Sequence, residues 1–237
     1  MAQGETPAAA QRVRWHGFGD VAALQADALQ RIRHASAGAI AAHGAFRIVL
    51  AGGNTPRAVY RALRATPTDW SAWQVYFGDE RCLAIDDEQR NSRMARDELL
   101  DHVPIPRANV HAIPAERGAE AGAELYARTL RAVGDFDLVL LGLGEDGHTA
   151  SLFPGHDWGM SIDGPDAIAV MDSPKPPPQR VSLSAARLGR SRAVLFIVDG
   201  ESKREAVEAW RAGADVPAAA IRAPGGVDAL VNLSPRA

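Results

Sequence analysis

The stretch 136–155, FDLVLLGLGEDGHTASLFPG, decides how the rest of the chain is read. Its apolar run, Leu138 to Leu141, is short, branched and bounded by glycine, the pattern of a strand buried on both faces. Such strands belong to parallel sheets covered by helices. Gly142, Gly144 and Gly147 then free the backbone, while Glu145, Asp146 and His148 gather three ionisable groups at the strand's carboxyl end. In open α/β sheets that end is where ligands bind. A histidine there, with an ordinary pKa near 6.5, accepts a proton at neutral pH and is readily oriented by a carboxylate. A glycine-rich turn beside a merely packed histidine would use some of the same residues. The coincidence of glycines, acid and histidine after a buried strand favours a reactive site.

Upstream, 46–51 (FRIVLA) reads as a second buried strand, running into Gly52-Gly53-Asn54-Thr55-Pro56. Thr55 is placed to cap a helix over 57–63, with Pro56 in its first position. A glycine pair, a hydroxyl and a helix start are the ingredients of an anion site, though a tight turn needs the same residues. It is neither a Walker loop nor GxGxxG. Residues 73–77 (WQVYF) form a third strand, ending in Gly78-Asp79-Glu80-Arg81, again charged at the carboxyl end. Asn91 or Ser92 is expected to cap the next helix, with Met94, Leu99 and Leu100 facing inward. A short strand at 110–113 and a helix over 118–133 lead back to the central stretch. Nearer the start, Asp20 offers an N-cap for a long helix that ends near Gly44; residues 1–12 are expected to be loose.

Downstream, 156–166 reads as a loop beside the site and 167–171 as a strand. Four prolines flank Lys175 within 174–178, which forbids helix and suggests a rigid extended loop. Strands at 180–183 (RVSL) and 193–198 (AVLFIV) follow, then Asp199-Gly200-Glu201-Ser202-Lys203 and a helix through Trp210. Lys203 opens that helix, where a cation is unfavourable unless something negative joins it. Strand and helix alternate throughout. The expected fold is therefore a three-layer α/β, doubly wound, mostly parallel, Rossmann-like sheet forming one domain over 13–237.

Composition narrows the function. A chain of 237 residues with net charge −3 has no global attraction for nucleic acid or acidic membranes, so an anionic substrate must be held locally. All but two of its 26 basic residues are arginine, which singles out Lys175 and Lys203. One cysteine, Cys82, excludes an internal disulfide and any multi-cysteine metal cluster. No apolar run approaches the roughly 20 residues of a membrane helix, and no signal-peptide pattern opens the chain. A cytoplasmic enzyme is the expectation.

GLGEDGHTASLFPG resembles the signature of the 6-phosphogluconolactonases, in the superfamily that also holds glucosamine-6-phosphate deaminase. The likeness continues, in order, through GGNTP, GDER, RVSLS and DGESK, and so covers most of the chain. It implies hydrolysis of 6-phosphoglucono-1,5-lactone to 6-phosphogluconate, in the oxidative pentose phosphate pathway. A lactone is an activated ester, so a base and a cation near the oxyanion suffice, with no cofactor and no metal. On that resemblance His148 is the base, oriented by Asp146 or Glu145. Arg81 stabilises the oxyanion or the hydroxyl-bearing end, and Asp79 bonds sugar hydroxyls. The 6-phosphate falls to Gly52, Gly53, Asn54, Thr55, Arg180 and Lys203. The partner is a small phosphorylated sugar lactone, with a monomer expected. The tail departs from the family, which often has aspartate where Asn232 stands.

The nearest rival is the deaminase, which would use Asp79 as a proton shuttle. Its motif carries an acid five residues after the histidine, where this chain has Phe153. A non-catalytic sugar-phosphate sensor would keep the phosphate loop and Lys203 without needing His148. A Ser151-His148 hydrolase lacks the G-x-S-x-G elbow. A metal on Asp79, Asp146 and His148 is demanded by no ligand spacing, and a nucleotide module lacks the fingerprint glycines.

Overall fold

The computed structural model describes residues 11–233. The chain opens with a strand the sequence reading did not anticipate, β1 (Val13–Phe18), whose alternating burial reflects its place at the sheet edge. Residues 1–10 of the expected loose segment lie outside the described residues. Gln11 donates to the carbonyls of Ala218 and Ile221 and accepts from the Trp210 indole at 2.8 Å. Helix α1 (Val21–His43) starts on Asp20, whose carboxylate accepts from Ala23 N–H, and stops at Gly44 in the left-handed region. Its buried stripe is Leu24, Ala28, Ile32, Ser36 and Ala39. Then come β2 (Phe46–Leu50), α2 (Asn54–Leu63), β3 (Trp73–Phe77), β4 (Asp79–Arg81), α3 (Asn91–Glu98) and α4 (Ala119–Leu130). They are followed by β5 (Leu138–Leu141), β6 (Ala167–Val170), β7 (Arg180–Leu183), α5 (Ala185–Gly189), β8 (Val194–Asp199), α6 (Arg204–Arg211), α7 (Pro217–Ala220) and β9 (Val227–Asn232).

Six strands form one all-parallel sheet in the order β1-β9-β8-β5-β2-β3. Every residue of β5 is buried, as its apolar run requires. Helices cover both faces. Phe196 of β8 packs on Trp210 of α6, ring centroids 4.7 Å apart. From β2 the chain winds outward to β3, whereas from β5 it winds the other way through β8 to β9. The switch of direction falls between β2 and β5, and the crevice beyond their carboxyl ends is the place for a ligand.

A second, three-stranded antiparallel sheet, β4-β7-β6, stands beside the first. The sequence marked 167–171 and 180–183 as strands but gave no sign that they pair with Asp79–Arg81. The expected strand at 110–113 reduces to one isolated bridge, Val75 to Val110; the chain meets Pro114 and turns away before a ladder can form. Two caps also differ. α2 begins at Asn54 on Gly53 with no side-chain cap, so Thr55 lies inside the helix. α3 begins on Arg90, and its cap comes from β4: the Glu80 carboxylate accepts from the N–H groups of Asn91 and Ser92 at 2.7 and 2.8 Å. Among the described residues, no helix is long and apolar enough to cross a membrane.

Candidate active site

A cleft of about 520 Å³ opens at the switch point. Its lining includes Gly52 to Thr55, Asp79, Arg81, His148, Arg180 and Lys203. Of the expected site residues, Asp146 and its alternative Glu145 are not on its wall; Asp146 stands behind His148.

The β5–β7 side carries the histidine. After Leu141 the chain folds back on itself: Gly144 N–H donates to His148 O at 2.7 Å, and the Thr149 hydroxyl donates to Gly142 O at 2.9 Å. The turn brings Asp146 Oδ1 to 2.5 Å from His148 Nδ1 and within 3.2 Å of its backbone N–H. Gly144 is required by this packing. A Cβ there would lie 1.9 Å from His148 Nδ1 and 2.6 Å from Asp146 Oδ1. Between Asp146 and Glu145, left open by the sequence, the geometry selects Asp146. Glu145 points outward and sits 3.8 Å from the Lys203 ammonium. Burial pushes the His148 pKa below its ordinary value, against the pull of Asp146, which favours the neutral imidazole. Burial also raises the Asp146 carboxyl, but hydrogen bonds and charge from His148 outweigh it and hold the acid lower than usual. An ionised Asp146 fixes the proton on Nδ1 and leaves Nε2 as the free acceptor.

The anion-binding ingredients line the same cleft. Gly53, at φ 103°, turns the chain into α2, whose first N–H groups have no side-chain cap. Lys203 occupies the N-cap position of α6 and lines the same space. Asp199 also lines it and accepts from Asn232 at 2.8 Å. An aspartate at 232 would face a second carboxylate, so the asparagine is locally consistent.

The floor between the two sides is a buried polar chain. Asn91 Nδ2 donates to the Asp79 carbonyl and to Asp79 Oδ1 at 3.0 and 2.9 Å, and the Ser151 hydroxyl donates to Asp79 Oδ2 at 2.6 Å. Asn91 Oδ1 would be 2.0 Å from a Cβ on Gly52, so this glycine is also packed against the network. Ser151 follows Ala150, a non-glycine residue at φ 48°, a conformation that persists only when surroundings impose it. The Ser151 hydroxyl is engaged with Asp79, so it is not aligned as a nucleophile on His148. Arg81 contributes one end of its guanidinium to the Gln89 carbonyl, while its Nε is buried without a partner. Arg180 is 4% exposed and donates to the carbonyls of Lys175, Pro176 and Pro177 at 2.9–3.1 Å. Much of its donor set is therefore spent on the proline loop.

Asn91 and Ser151 were not assigned to the site from sequence. They reach Asp79 from 12 and 72 residues away respectively, and nothing local to either predicts that meeting. Among the described residues, no three His, Cys, Asp or Glu side chains form a metal ligand set.

A family model described as glucosamine-6-phosphate isomerases/6-phosphogluconolactonase matches residues 19–230. The chain belongs to this family. It is 41% identical over 219 residues to the 6-phosphogluconolactonase of Mycobacterium tuberculosis, spanning 85% of this chain and 88% of that one. It is 40% identical over 178 residues to the 6-phosphogluconolactonase of Synechocystis, spanning 71% and 72% of the two chains. The crystal structure of a 6-phosphogluconolactonase from Thermotoga maritima superposes with a TM-score of 0.86 at 28% identity, covering 93% of this chain and all of that one. At position 153, where the deaminase reading expects an acid, this chain carries a phenylalanine. Phe153 is fully buried, and its ring packs on His148 with centroids 4.8 Å apart. An acid in that position would be a carboxylate partner for the histidine; the phenyl ring supplies packing and desolvation instead.

Proposed function

We propose that this cleft hydrolyses 6-phosphoglucono-1,5-lactone to 6-phosphogluconate, as a step of the pentose phosphate pathway, with His148 as general base. The observation that carries the reading is a histidine backed by Asp146 at 2.5 Å, facing the same cleft as an uncapped helix N-terminus and Lys203. The phosphate binds the N–H groups at Gly53–Thr55, favoured by the helix dipole, together with Lys203. That anchorage directs C1 of the sugar toward His148. Asp79, fixed by Asn91 and Ser151, accepts from sugar hydroxyls; Arg81 offers its remaining donors to the same end. Arg180 acts on the phosphate less directly than the sequence suggests, because it anchors the wall beside it.

The reaction then balances simply. A water molecule gives a proton to His148 Nε2 while its oxygen attacks C1, placing negative charge on the carbonyl oxygen. Asp146 stabilises the imidazolium. As the intermediate collapses, the bond from C1 to the ring oxygen breaks, and that oxygen takes the proton from Nε2. The new carboxylic acid ionises, releasing one proton to solvent.

Proton release from freshly made lactone, measured above the spontaneous background without added metal or nucleotide, tests the reading. Fast release by the native protein and its collapse by about 10³-fold in His148→Ala are expected. Release at the background rate would remove the enzyme and leave the sugar-phosphate sensor. Ammonia release from glucosamine 6-phosphate is expected to be absent. A cytoplasmic location and a monomeric state belong to the same proposal; light scattering on active enzyme checks the second.

A further inference from the structure

We propose that Tyr60 is a positioning residue for the substrate phosphate: its hydroxyl holds the strand end from which the Gly52–Thr55 loop starts. The inference rests on the reading above for what that loop binds.

The loop needs such a support because its own chemistry leaves it loose. Gly52 and Gly53 stand in succession between β2 and α2, and glycine has the most backbone freedom to lose. α2 starts on Gly53 with no side-chain cap. Nor do the neighbouring strands hold the entry to the loop. β2 pairs with β5 only at Ile48 and Val49, and with β3 as far as Leu50. Ala51 lies past both ladders and is still buried, so its N–H and C=O need partners from elsewhere.

Both go to one hydroxyl. Tyr60 OH accepts from Ala51 N–H at 2.9 Å and donates to Ala51 O at 2.8 Å. A phenol can do both at once, having one donor and free lone pairs. Burial pushes the Tyr60 phenol above its ordinary pKa, so the donated proton stays in place. Tyr60 lies on α2, the helix whose first N–H groups take the phosphate in that reading. Its side chain therefore ties the helix back to the strand end, closing 51–60 into a ring that contains both glycines. Ala51 to Thr55 line the cleft, whereas Tyr60 is fully buried and is not on its wall. Its effect on the phosphate is carried by the main chain.

β3 offers an internal comparison. Tyr126 of α4, also fully buried, accepts from Phe77 N–H at 3.0 Å and donates to Phe77 O at 3.3 Å. Phe77 leads into Gly78 and Asp79, the side assigned to the sugar hydroxyls. Two tyrosines thus hold two strand ends at the cleft, and Tyr60 is the one tied to the phosphate loop.

The test compares wild type, Tyr60→Phe and Tyr126→Phe in the full chain, below the melting temperature of each. It uses proton release from the phosphorylated lactone and a phosphorus NMR titration with inorganic phosphate. Tyr60→Phe is expected to weaken phosphate binding and raise KM by about tenfold each, with kcat within threefold and the acid limb of kcat/KM unmoved. Tyr126→Phe should keep phosphate binding within twofold and lose about tenfold in kcat instead. A second measurement needs no variant. With inorganic phosphate at about ten times its Kd, the Ala51 amide of wild type should exchange its hydrogen about tenfold more slowly, and the Phe77 amide within twofold of its free rate. Phosphate binding and KM within twofold of wild type in Tyr60→Phe overturn the proposal. So does equal weakening of phosphate by both variants, or equal slowing of both amides, which would make the hydroxyls general supports of the fold. A wild type at the background rate overturns the lactonase reading, and this proposal stands or falls on the phosphate measurements; a wild type that binds no phosphate overturns it.

Discussion

The two walls of the cleft are built by different means. The loops after β2 and β5 belong to the large parallel sheet and are nearly self-contained: glycines, a helix start, and an Asp146–His148 pair two residues apart. The other wall rests on the small antiparallel sheet, where Asp79 and Arg180 are tied to Ser151 of the turn after β5 by contacts between segments far apart in the chain. The first wall presents reactive groups on short, locally determined turns. The second uses buried polar side chains to fix positions. The comparison teaches that damage to one should appear in turnover and damage to the other in stability as well.

The sharpest test on the first wall is steric. Gly144→Ala places a methyl group 1.9 Å from the His148 ring nitrogen, and either the imidazole or the turn must move. We expect kcat to fall by about 10³-fold, comparable to removing a general base, with the melting temperature changed little. Stopped-flow proton release alongside a thermal melt separates the two. Asp146→Asn is milder. It keeps the shape but loses the charge that stabilises the imidazolium, so kcat falls by about 10²-fold. Because Asp146 raises the His148 pKa, its removal drops the acid limb of kcat/KM to lower pH. An acid limb that rises in this variant would contradict the assignment of Asp146 as partner.

On the second wall the first effect is on folding. Arg180→Met leaves three loop carbonyls without their donor, at a cost of about 3 kcal/mol. For a chain of this size that corresponds to a fall in Tm of roughly 6–12 °C, with kcat reduced as well because the 173–178 loop loses its anchor. Glu80→Gln is expected to cost about 2 kcal/mol, since Glu80 caps α3 and pairs with the buried Arg90 at 3.4 Å. Its effect on turnover should be small. Differential scanning calorimetry with parallel kinetics would show whether stability and activity part as the two walls imply.

The same division explains what could be read in the sequence. Each parallel strand except β1 and β9 announces itself as a compact apolar run, and the switch-point loops carry glycines and charges in unbroken stretches. His148, Asp146, Gly52 to Thr55 and Lys203 were therefore legible, and all reach one cleft or, for Asp146, stand directly behind it. β1 escaped because VRWHGF alternates at a half-exposed edge and has no apolar run. The small sheet escaped because β4 is three charged residues, whose strand state depends on pairing with β7 a hundred residues later. Caps were misplaced for a related reason. Local candidates Thr55 and Asn91 were available, whereas the true cap of α3 is supplied by Glu80 across space. Arg180 was visible as a basic residue on a strand, but its bonds to Lys175, Pro176 and Pro177 depend on the course of a proline loop that no periodicity describes.

The smallest effect belongs to the contact that joins Lys203 to the turn carrying His148. Glu145 lies 3.8 Å from Lys203, and its side chain is more than half exposed. A solvent-exposed pair at that distance contributes at most a few tenths of a kcal/mol. Removing it with Glu145→Gln should leave kcat within twofold and the melting temperature unchanged. Phosphate binding should tighten modestly, because Lys203 loses a competing carboxylate while the cleft loses a negative charge. KM is therefore expected to fall by about twofold at low ionic strength and to return to the native value as salt screens the difference. A fall in kcat comparable to that of Asp146→Asn would instead make Glu145 a second support of His148. The clean split between its two neighbouring acids, one inward on the base and one outward on the phosphate lysine, would then be lost.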